Sequence, residues 1–354
     1  MTEESMSRRD FVASTGAAGA ALLTAGAGEV VRRPEALPSA PTIIGCVPLA
    51  APRRGVATVK AVLATAKAAG VSAMLVPVIE TEHLTEAMRA LLELRRMMRE
   101  LASSAVLAEQ PADWSAGSRR GRVAVIAHSH GLQWMDRELA LIREFHAAGL
   151  RVAKLSSGWR NLIADGCYEP TDLRLTRLGR HAVDELGRTG ILIDLASTAR
   201  RSTLEVMERV GRPVVFSHVN AAAVHPHPLN LTDGQIRACG RTGGVIGVSA
   251  FPALVGDGAP TVSDVLRHVD HIVRLVGVDH VGLGLDFDTG RTRRYPTDPI
   301  PEPPYHYPTA LARLEDVTGL AARLAERGYD AKARAAIFGG NLERVLRRAF
   351  SEAS

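Results

Sequence analysis

Two histidine-containing segments and one acidic segment follow apolar runs in this sequence of 354 residues. They are His128-Ser129-His130, Ser217-His218 and the segment that begins at Asp286. Residues two apart in an extended segment face the same side, so His128 and His130 can present both imidazoles to one point. Imidazole and carboxylate groups are common ligands of zinc and other divalent metals. The pattern predicts a metal centre, although any one of these histidines alone is more typical of a structural residue.

Asp286 and Asp288 end a buried apolar run that is predicted to be a strand. In a barrel of alternating strands and helices, polar groups at the C-terminal ends of strands carry out the chemistry. Asp286 is therefore a candidate catalytic residue. The alternative is that both carboxylates only cap the following turn.

The elements that must position these residues alternate along the chain. Runs rich in Val, Ile and Leu predict eight buried parallel strands, at Thr42–Val47, Ala73–Ile79, Arg122–Ala127, Arg151–Leu155, Ile191–Leu195, Pro213–Phe216, Gly244–Val248 and His280–Gly284. Helical patterns lie between them, at Val56–Ala68, Glu138–Ala148, Leu178–Arg188, Ser202–Val210, Thr232–Thr242 and Val262–Val276. This α/β pattern predicts a (β/α)8 barrel of the TIM type. A doubly wound open sheet is disfavoured, because no Gly-x-Gly-x-x-Gly motif opens a helix after the first strand.

Three segments interrupt the alternation. The segment Thr81–Gly121 contains a predicted long helix, Glu82–Ala105, followed by an irregular polar stretch. Phe251–Pro260 and Thr289–Pro308 are rich in Gly and Pro and follow strands seven and eight. The last two are predicted lids over a site, and flexible surface insertions are the alternative.

Composition narrows the class of protein. With 46% hydrophobic residues the chain can bury a large core. Its formal charge of +5 comes from scattered arginines without basic runs, so no nucleic-acid partner is expected. Cys46, Cys167 and Cys239 are too far apart in sequence to predict a disulfide framework or a zinc ribbon.

The N-terminus resembles a twin-arginine export signal. Ser7-Arg8-Arg9-Asp10-Phe11 is followed by a weakly apolar run and by Ala25-Gly26-Ala27, a small-x-small cleavage pattern. The run is too short to span a bilayer, which needs roughly 20 apolar residues. We therefore predict a signal peptide at 1–27, a linker at 28–41, one domain at 42–350 and a tail at 351–354. The mature protein would be extracellular or in the cell envelope, without a stable membrane span.

Most of the chain from about Arg122 resembles the membrane (renal-type) dipeptidase family. The similar segments occur in family order, at Ile142–Phe145, Gly149–Arg151, Leu155–Asn161, Ala164–Gly166, Leu175–Arg180, Gly190–Leu195, Pro213–His218, Asn230–Asp233, Gly243–Ile246, His268–His271, Asp279–Asp288 and Phe338–Val345. The resemblance implies a (β/α)8 barrel that hydrolyses dipeptides with a pair of zinc ions. It also implies that His218 is a metal ligand and that Asp286 acts on the scissile amide.

Other family positions are changed in this sequence. The family's Asp-Gly-His-x-Asp at the first strand corresponds to Ile44-Gly45-Cys46-Val47-Pro48, and its bridging glutamate corresponds to His130. Its Ser-His after strand five corresponds to Ala196-Ser197, and the arginine that holds the substrate carboxylate corresponds to Leu229. The resemblance therefore implies a degenerate site with one divalent metal or none, zinc being the expected ion.

The favoured hypothesis is a metal-dependent hydrolase of dipeptide-like or other small amide substrates. Its candidate site residues are Cys46, His128, His130 and His218 for the metal, Asp286 for catalysis, and Arg160 and Asn230 for the substrate, with Arg291 as another source of a guanidinium group. One alternative is a catalytically inactive exported barrel that binds a small molecule or peptide. Another is a different reaction on the same scaffold. Both a monomer and a homodimer are compatible with the sequence.

Overall fold

The structure is a computed structural model that describes residues 40–48, 55–114, 120–287 and 304–351. Its described strands are all parallel: β1 Thr42–Cys46, β2 Val71–Ile79, β3 Ala105–Leu107, β4 Val123–Ser129, β5 Leu150–Lys154, β6 Leu192–Asp194, β7 Val215–Val219, β8 Val245–Ser249 and β9 Val281–Leu285. All of these except β3 form a closed barrel, because β9 pairs with β1 and β2 pairs with β4. The predicted (β/α)8 barrel is confirmed, with strand ends shifted by a few residues.

Helices connect and surround the strands. Those with described bounds are α1 Gly55–Ala68, α2 Leu84–Glu100, α3 Leu141–Ala147, α4 Arg177–Thr189, α5 Arg200–Arg209, α6 Asp233–Arg241, α7 Pro252–Val255, α8 Val262–Val276, α9 Val317–Glu326, α10 Ala331–Ala335 and α11 Asn341–Ser351. Side-chain caps fix several helix starts; Thr232 and Gln235, for example, form a reciprocal capping box at α6. The described residues contain no helix that is both long and apolar enough to cross a bilayer.

The end of the long predicted helix was placed wrongly. α2 ends at Glu100, residues 101–104 form a turn, and Ala105 begins β3, which pairs with the first half of β4. Ser103 and Ser104 favour a turn over a helix, and Val106 is a β-branched residue that packs well in a strand. Local propensity thus ends the helix, and the open edge of β4 pairs with the chain that follows.

The N-terminal end of the barrel is closed by apolar packing. Buried strand residues such as Ile43 and Leu75 form one cluster with Leu342, Val345 and Leu346 of the last helix, α11. This plug leaves the opposite, C-terminal mouth for polar side chains, as expected for a barrel of parallel strands.

Strand β7 departs from regular pairing at the residues that matter most for the site. Its register with β8 is irregular between Phe216 and Val219, so the backbone at Ser217 approaches the barrel axis. Glycines on three other strands make room: a Cβ atom at Gly45, Gly247 or Gly284 would lie 2.4, 2.3 or 2.6 Å from the Ser217 carbonyl oxygen. The close approach therefore requires glycine at these positions.

Predictions about the N-terminus and about the segment after β9 fall outside the described part of the chain. Arg8, Arg9, Asp288 and Arg291 are all in segments that the structure leaves undescribed. The export signal and any role of Arg291 stay predictions.

Candidate active site

Three of the four predicted metal ligands meet at the C-terminal mouth of the barrel. Cys46 ends β1, His130 follows β4, and His218 lies in β7. One potential ligand atom from each residue lies within 4.8 Å of the other two. Cys46 and His218 are buried, and His130 is partly exposed, so the group is accessible from one side.

The donor set fits a zinc ion. Thiolate and imidazole are its preferred ligands, and tetrahedral bonds of about 2.0–2.3 Å place neighbouring donor atoms roughly 3.5 Å apart. The observed separations, all within 4.8 Å, need only a small contraction of the three side chains. A site with three protein ligands also keeps a fourth position for water or substrate, which is the arrangement of catalytic zinc sites.

Neighbouring groups orient both imidazoles. Ser217 Oγ donates to Asp194 Oδ2 over 2.5 Å and lies 2.6 Å from His218 Nδ1, so it accepts the proton of that nitrogen. His130 Nδ1 lies 3.3 Å from Glu80 Oε1. With each Nδ1 engaged in this way, the Nε2 lone pair is the one directed to a metal, and such partners typically fix the orientation of histidine ligands.

His128 occupies a different position from the other three candidates. Its Nε2 lies 3.0 Å from Asp194 Oδ2, and both side chains are fully buried. The rings of His128 and His130 are neighbours, with centroids 4.8 Å apart, but no atom of His128 belongs to the three-residue group. Burial lowers the pKa of His128, which favours a neutral imidazole beside the Asp194 carboxylate.

Asp194 is the anion at the centre of this network. Two backbone N–H groups donate to its Oδ1, including that of Ser217 over 3.0 Å. Burial is the largest single influence and opposes its ionisation. The nearby His128, His218 and Lys154 together outweigh burial and hold the pKa of Asp194 well below its usual range. Asp194 is therefore a carboxylate that was not predicted as a site residue, although it ends a strand.

Asp286 lies beside the three-residue group, where it was expected. Its side chain is fully buried, and Cys46 Sγ donates to its Oδ1 over 3.6 Å. Leu285 and Asp286 both have left-handed backbone conformations, with φ of 56° and 57°. Such strain at two consecutive non-glycine residues is typical of functional sites. Tyr307 donates its hydroxyl to the Asp286 carbonyl over 2.8 Å and so fixes this turn.

An apolar cluster lies beside the mouth. Leu229, Phe251 and Leu254 are buried together, and Tyr305 and Tyr307 pack against them. The rings of Phe251 and Tyr305 meet edge to face with centroids 5.0 Å apart. These residues come from the loops after β7, β8 and β9, so the two predicted lid segments both contribute to the cluster.

The two predicted substrate-binding residues are engaged in structural contacts. Arg160 forms an ion pair with Asp165, with Nε 2.6 Å from Oδ1, and also contacts Thr171. Asn230 donates to the carbonyls of His225 and Leu254 over 2.9 Å and accepts from a backbone N–H. Their proposed roles in substrate binding stay predictions.

A cavity of about 510 Å³ lies between the loops that follow β5, β6 and β7. It is lined by Cys167, Ser197, Thr198, Leu229 and Asn230, among others. Lys154 lies behind it, 3% exposed, and donates to Ser197 Oγ over 3.2 Å. Ser197 was expected only as a changed ligand position, and Lys154 was not predicted as a site residue. The signal was a lysine at the C-terminal end of a buried strand.

Comparisons with known proteins agree with the fold and the motifs. The family model described as "Membrane dipeptidase (Peptidase family M19)" matches residues 56–353. Dipeptidase tcpJ of Claviceps purpurea is 28% identical over 261 residues, which are 72% of this chain and 57% of that protein. Dipeptidase aclJ of Aspergillus oryzae is 29% identical over 231 residues, 64% of this chain and 51% of that protein. The chain thus spans about half the length of these curated relatives.

Solved structures share the fold. An amidohydrolase from Pseudomonas aeruginosa superposes with a TM-score of 0.81 at 21% identity, covering 88% of this chain and 97% of that one. A metallo peptidase from Rhodobacter sphaeroides, liganded with a phosphinate mimic of the dipeptide L-Ala-D-Ala, gives a TM-score of 0.75 at 22% identity, with coverages of 88% and 99%. The family model covers well over half of the sequence, and the chain therefore belongs to the membrane dipeptidase family, peptidase family M19.

Proposed function

We propose that this protein is a dipeptidase-like, metal-dependent hydrolase of small amides that uses a single metal site made by Cys46, His130 and His218. The observation that carries the proposal is the meeting of these three ligand atoms within 4.8 Å, next to the buried carboxylate of Asp286. A thiolate and two imidazoles form a suitable zinc site, and the neighbouring carboxylate supplies a group that can transfer protons.

In this reaction the metal ligands and Asp286 would have separate roles. A bound zinc would supply Lewis acidity to a water molecule and to the amide carbonyl. Asp286 takes a proton as the water oxygen bonds to the carbonyl carbon, and gives that proton to the nitrogen when the C–N bond breaks. Tyr307 holds the Asp286 backbone through its hydroxyl, which keeps the carboxylate in place between the two proton transfers.

One metal per chain is favoured over two. Pro48 has no side-chain donor at a position where the family has an aspartate, and the hydroxyl of Ser197 is a weak neutral ligand. At the position of the bridging glutamate stands His130, whose neutral ring brings no negative charge between two cations. Their mutual repulsion would then be poorly compensated.

The apolar cluster suggests what the substrate lacks. Leu229 stands where the family has the arginine that holds a substrate carboxylate, and it is packed with Phe251 and Leu254. Arg160 is already paired with Asp165. A free carboxylate at this end of a substrate would lose water without gaining an ionic partner. We therefore propose amides without a free carboxylate at that end.

Metal analysis and a paired substrate series test the proposal. The protein is reconstituted separately with zinc, manganese and iron, and bound metal is counted. Turnover is then compared between each dipeptide and the same dipeptide with an amidated C-terminus, in L,L and L,D forms. We expect a stoichiometry of about one metal per chain and faster hydrolysis of the amidated partner. The proposal fails if no metal binds. Its substrate part fails if free dipeptides turn over at about 1 to 1,000 per second.

We also propose export through the twin-arginine route. The support is the Ser7-Arg8-Arg9-Asp10-Phe11 segment and the cleavage pattern that ends at Ala27. That route carries folded proteins, so a metal could be inserted before export.

A further inference from the structure

Lys154 and Ser197 form a buried amine–hydroxyl pair at the barrel mouth. Lys154 is the last residue of β5, and Ser197 follows the neighbouring strand β6. The Nζ and Oγ atoms lie 3.2 Å apart, and the two residues are 3% and 8% exposed. Neither residue belongs to the metal-ligand group, and the hydrolase mechanism above uses neither of them.

The backbone at Ser197 forms a strained strand-to-helix turn of the kind that carries nucleophilic serines in other enzymes. It lies on a sharp turn between β6, which ends at Asp194, and α5, which begins at Arg200. Its φ of 65° is left-handed, a conformation that is costly for a non-glycine residue. Strained strand-to-helix turns of this type raise a serine hydroxyl above the sheet. The small residue Ala196 precedes it, and Ala199 follows two positions later.

Ser197 lies at the edge of a cavity that is large enough for a small molecule. Ser197 lines the cavity of about 510 Å³, which is within the range of about 300–1,000 Å³ for small-molecule sites. Leu195 and Leu229 give it apolar walls. Thr198 also lines it, and within the described part of the chain the buried Thr198 hydroxyl has no hydrogen-bond partner.

We propose that Ser197 and Lys154 form a serine–lysine catalytic dyad that hydrolyses small esters or amides with an apolar acyl group by a metal-independent route. Buried lysines commonly act as general bases, because burial disfavours the charged ammonium form. Asp194, a carboxylate, and His128, a neutral imidazole, are both near Lys154. Cys167, also near the amine, is held in its thiol form because burial raises its pKa to about 12.

The reaction runs in two halves that balance. Neutral Lys154 takes the Ser197 proton as Oγ bonds to the carbonyl carbon, and the resulting ammonium gives that proton to the leaving oxygen or nitrogen as its bond to carbon breaks. Water then attacks the acyl-serine, Lys154 takes a proton from the water, and the Ser197 oxygen leaves with that proton. The substrate, Ser197, Lys154 and water account for every atom, and no other reactant is needed.

Covalent labelling of metal-free protein tests the dyad. The full-length protein is treated with a chelator, incubated with a fluorophosphonate probe, and analysed by intact mass and peptide mapping. In parallel, p-nitrophenyl butyrate is used to look for a burst of one acyl group per chain. The variants are Ser197→Ala, Lys154→Met and Lys154→Arg; their controls are Ser72→Ala and Lys60→Met, which lie in β2 and α1. Circular dichroism checks that each variant is folded.

We expect a single adduct on Ser197, its loss in Ser197→Ala, and labelling that is slower by about 100-fold or more in both Lys154 variants. Arginine keeps the positive charge but cannot accept the proton, so its failure to rescue separates a general base from a structural cation. The control variants should label like the wild type. Mapping in the wild type does not depend on any variant folding. An unlabelled wild type, an adduct on another residue, or undiminished labelling in Lys154→Met would overturn the dyad while leaving the metal-dependent proposal intact.

Discussion

Cys46 and Asp286 contact each other across the closing seam of the barrel, with Sγ 3.6 Å from Oδ1, although 240 positions separate them in sequence. Cys46 pairs with Leu285 where the first strand, β1, meets the last, β9. The candidate metal ligand and the candidate proton carrier therefore come together only when the barrel closes. The site therefore requires the pairing of β1 with β9 that closes the barrel.

Replacing Cys46 with alanine should abolish stoichiometric metal binding. The change leaves two imidazoles, and a three-ligand zinc site loses its only anionic donor. Bound metal is measured on the purified, folded variant by elemental analysis. His128→Gln is the matched comparison, because the His128 ring contacts Asp194 and lies outside the ligand group. If His128→Gln lost the metal as completely as Cys46→Ala, the assignment of ligands would be wrong.

Replacing Asp286 with asparagine should remove activity and keep the metal. The amide cannot accept and return a proton, so turnover of an amide substrate should fall by about 10²–10⁴-fold. Asp257→Asn, a change at an exposed residue after α7, should have no effect. Steady-state rates and bound metal are measured on the same samples. Normal turnover in Asp286→Asn would remove this residue from the mechanism.

Replacing Gly45 with alanine should damage both stability and the site. The new Cβ would lie 2.4 Å from the Ser217 carbonyl oxygen and push against the irregular part of β7 that holds His218. Overpacking of this kind costs about 1–3 kcal/mol. Gly319→Ala in α9 has nothing within 4 Å of its Cβ and should be stabilising by about 0.5–1 kcal/mol. Urea titrations compare the two, and an equal effect would refute the packing argument.

Stability should fall between about pH 6.5 and pH 4 because of His268. Burial, mainly, lowers its pKa to about 4, below the value near 6.5 of an unfolded chain. In this interval the unfolded chain binds a proton that the folded protein does not, so acid favours unfolding, by up to about 3 kcal/mol for this group. His268→Gln should flatten the pH dependence in urea titrations, and His83→Gln at an exposed site should not. Identical slopes for the two variants would rule out this role of His268.

Replacing Arg8 and Arg9 with lysine should retain the precursor in the cytoplasm. The twin-arginine route is expected to recognise the paired guanidinium groups rather than charge alone, and lysine keeps only the charge. The pair Arg32 and Arg33, beyond the predicted cleavage site, provides the matched double change to lysine. Cell fractionation and the N-terminus of the exported protein give the result. Normal export of the first variant would refute the signal.

The sequence alone determined the strands of the barrel and where their polar ends fall. Alternation of apolar runs with helical patterns is a local property, because the backbone of each segment sets its own periodicity. His218 and Asp286 were predicted from their strand-end positions and from the resemblance of their segments to the family. The end of the long helix was predicted wrongly, at Ala105 instead of Glu100, and the pairing of Ala105 with β4 is a tertiary contact that no local pattern shows.

Only the tertiary structure decided which of these groups contact each other. His128 and His130 were expected to face one point. However, β4 ends at Ser129, so the alternation of side chains along the strand does not extend to His130. His130 joins Cys46 and His218, whereas His128 contacts Asp194. Lys154 and Ser197 became a pair only through the register of β5 and β6. The sequence specifies the side-chain chemistry at each position. The distances between strand ends depend on strand register, irregular pairing and closure of the whole barrel, and no local stretch of sequence determines these.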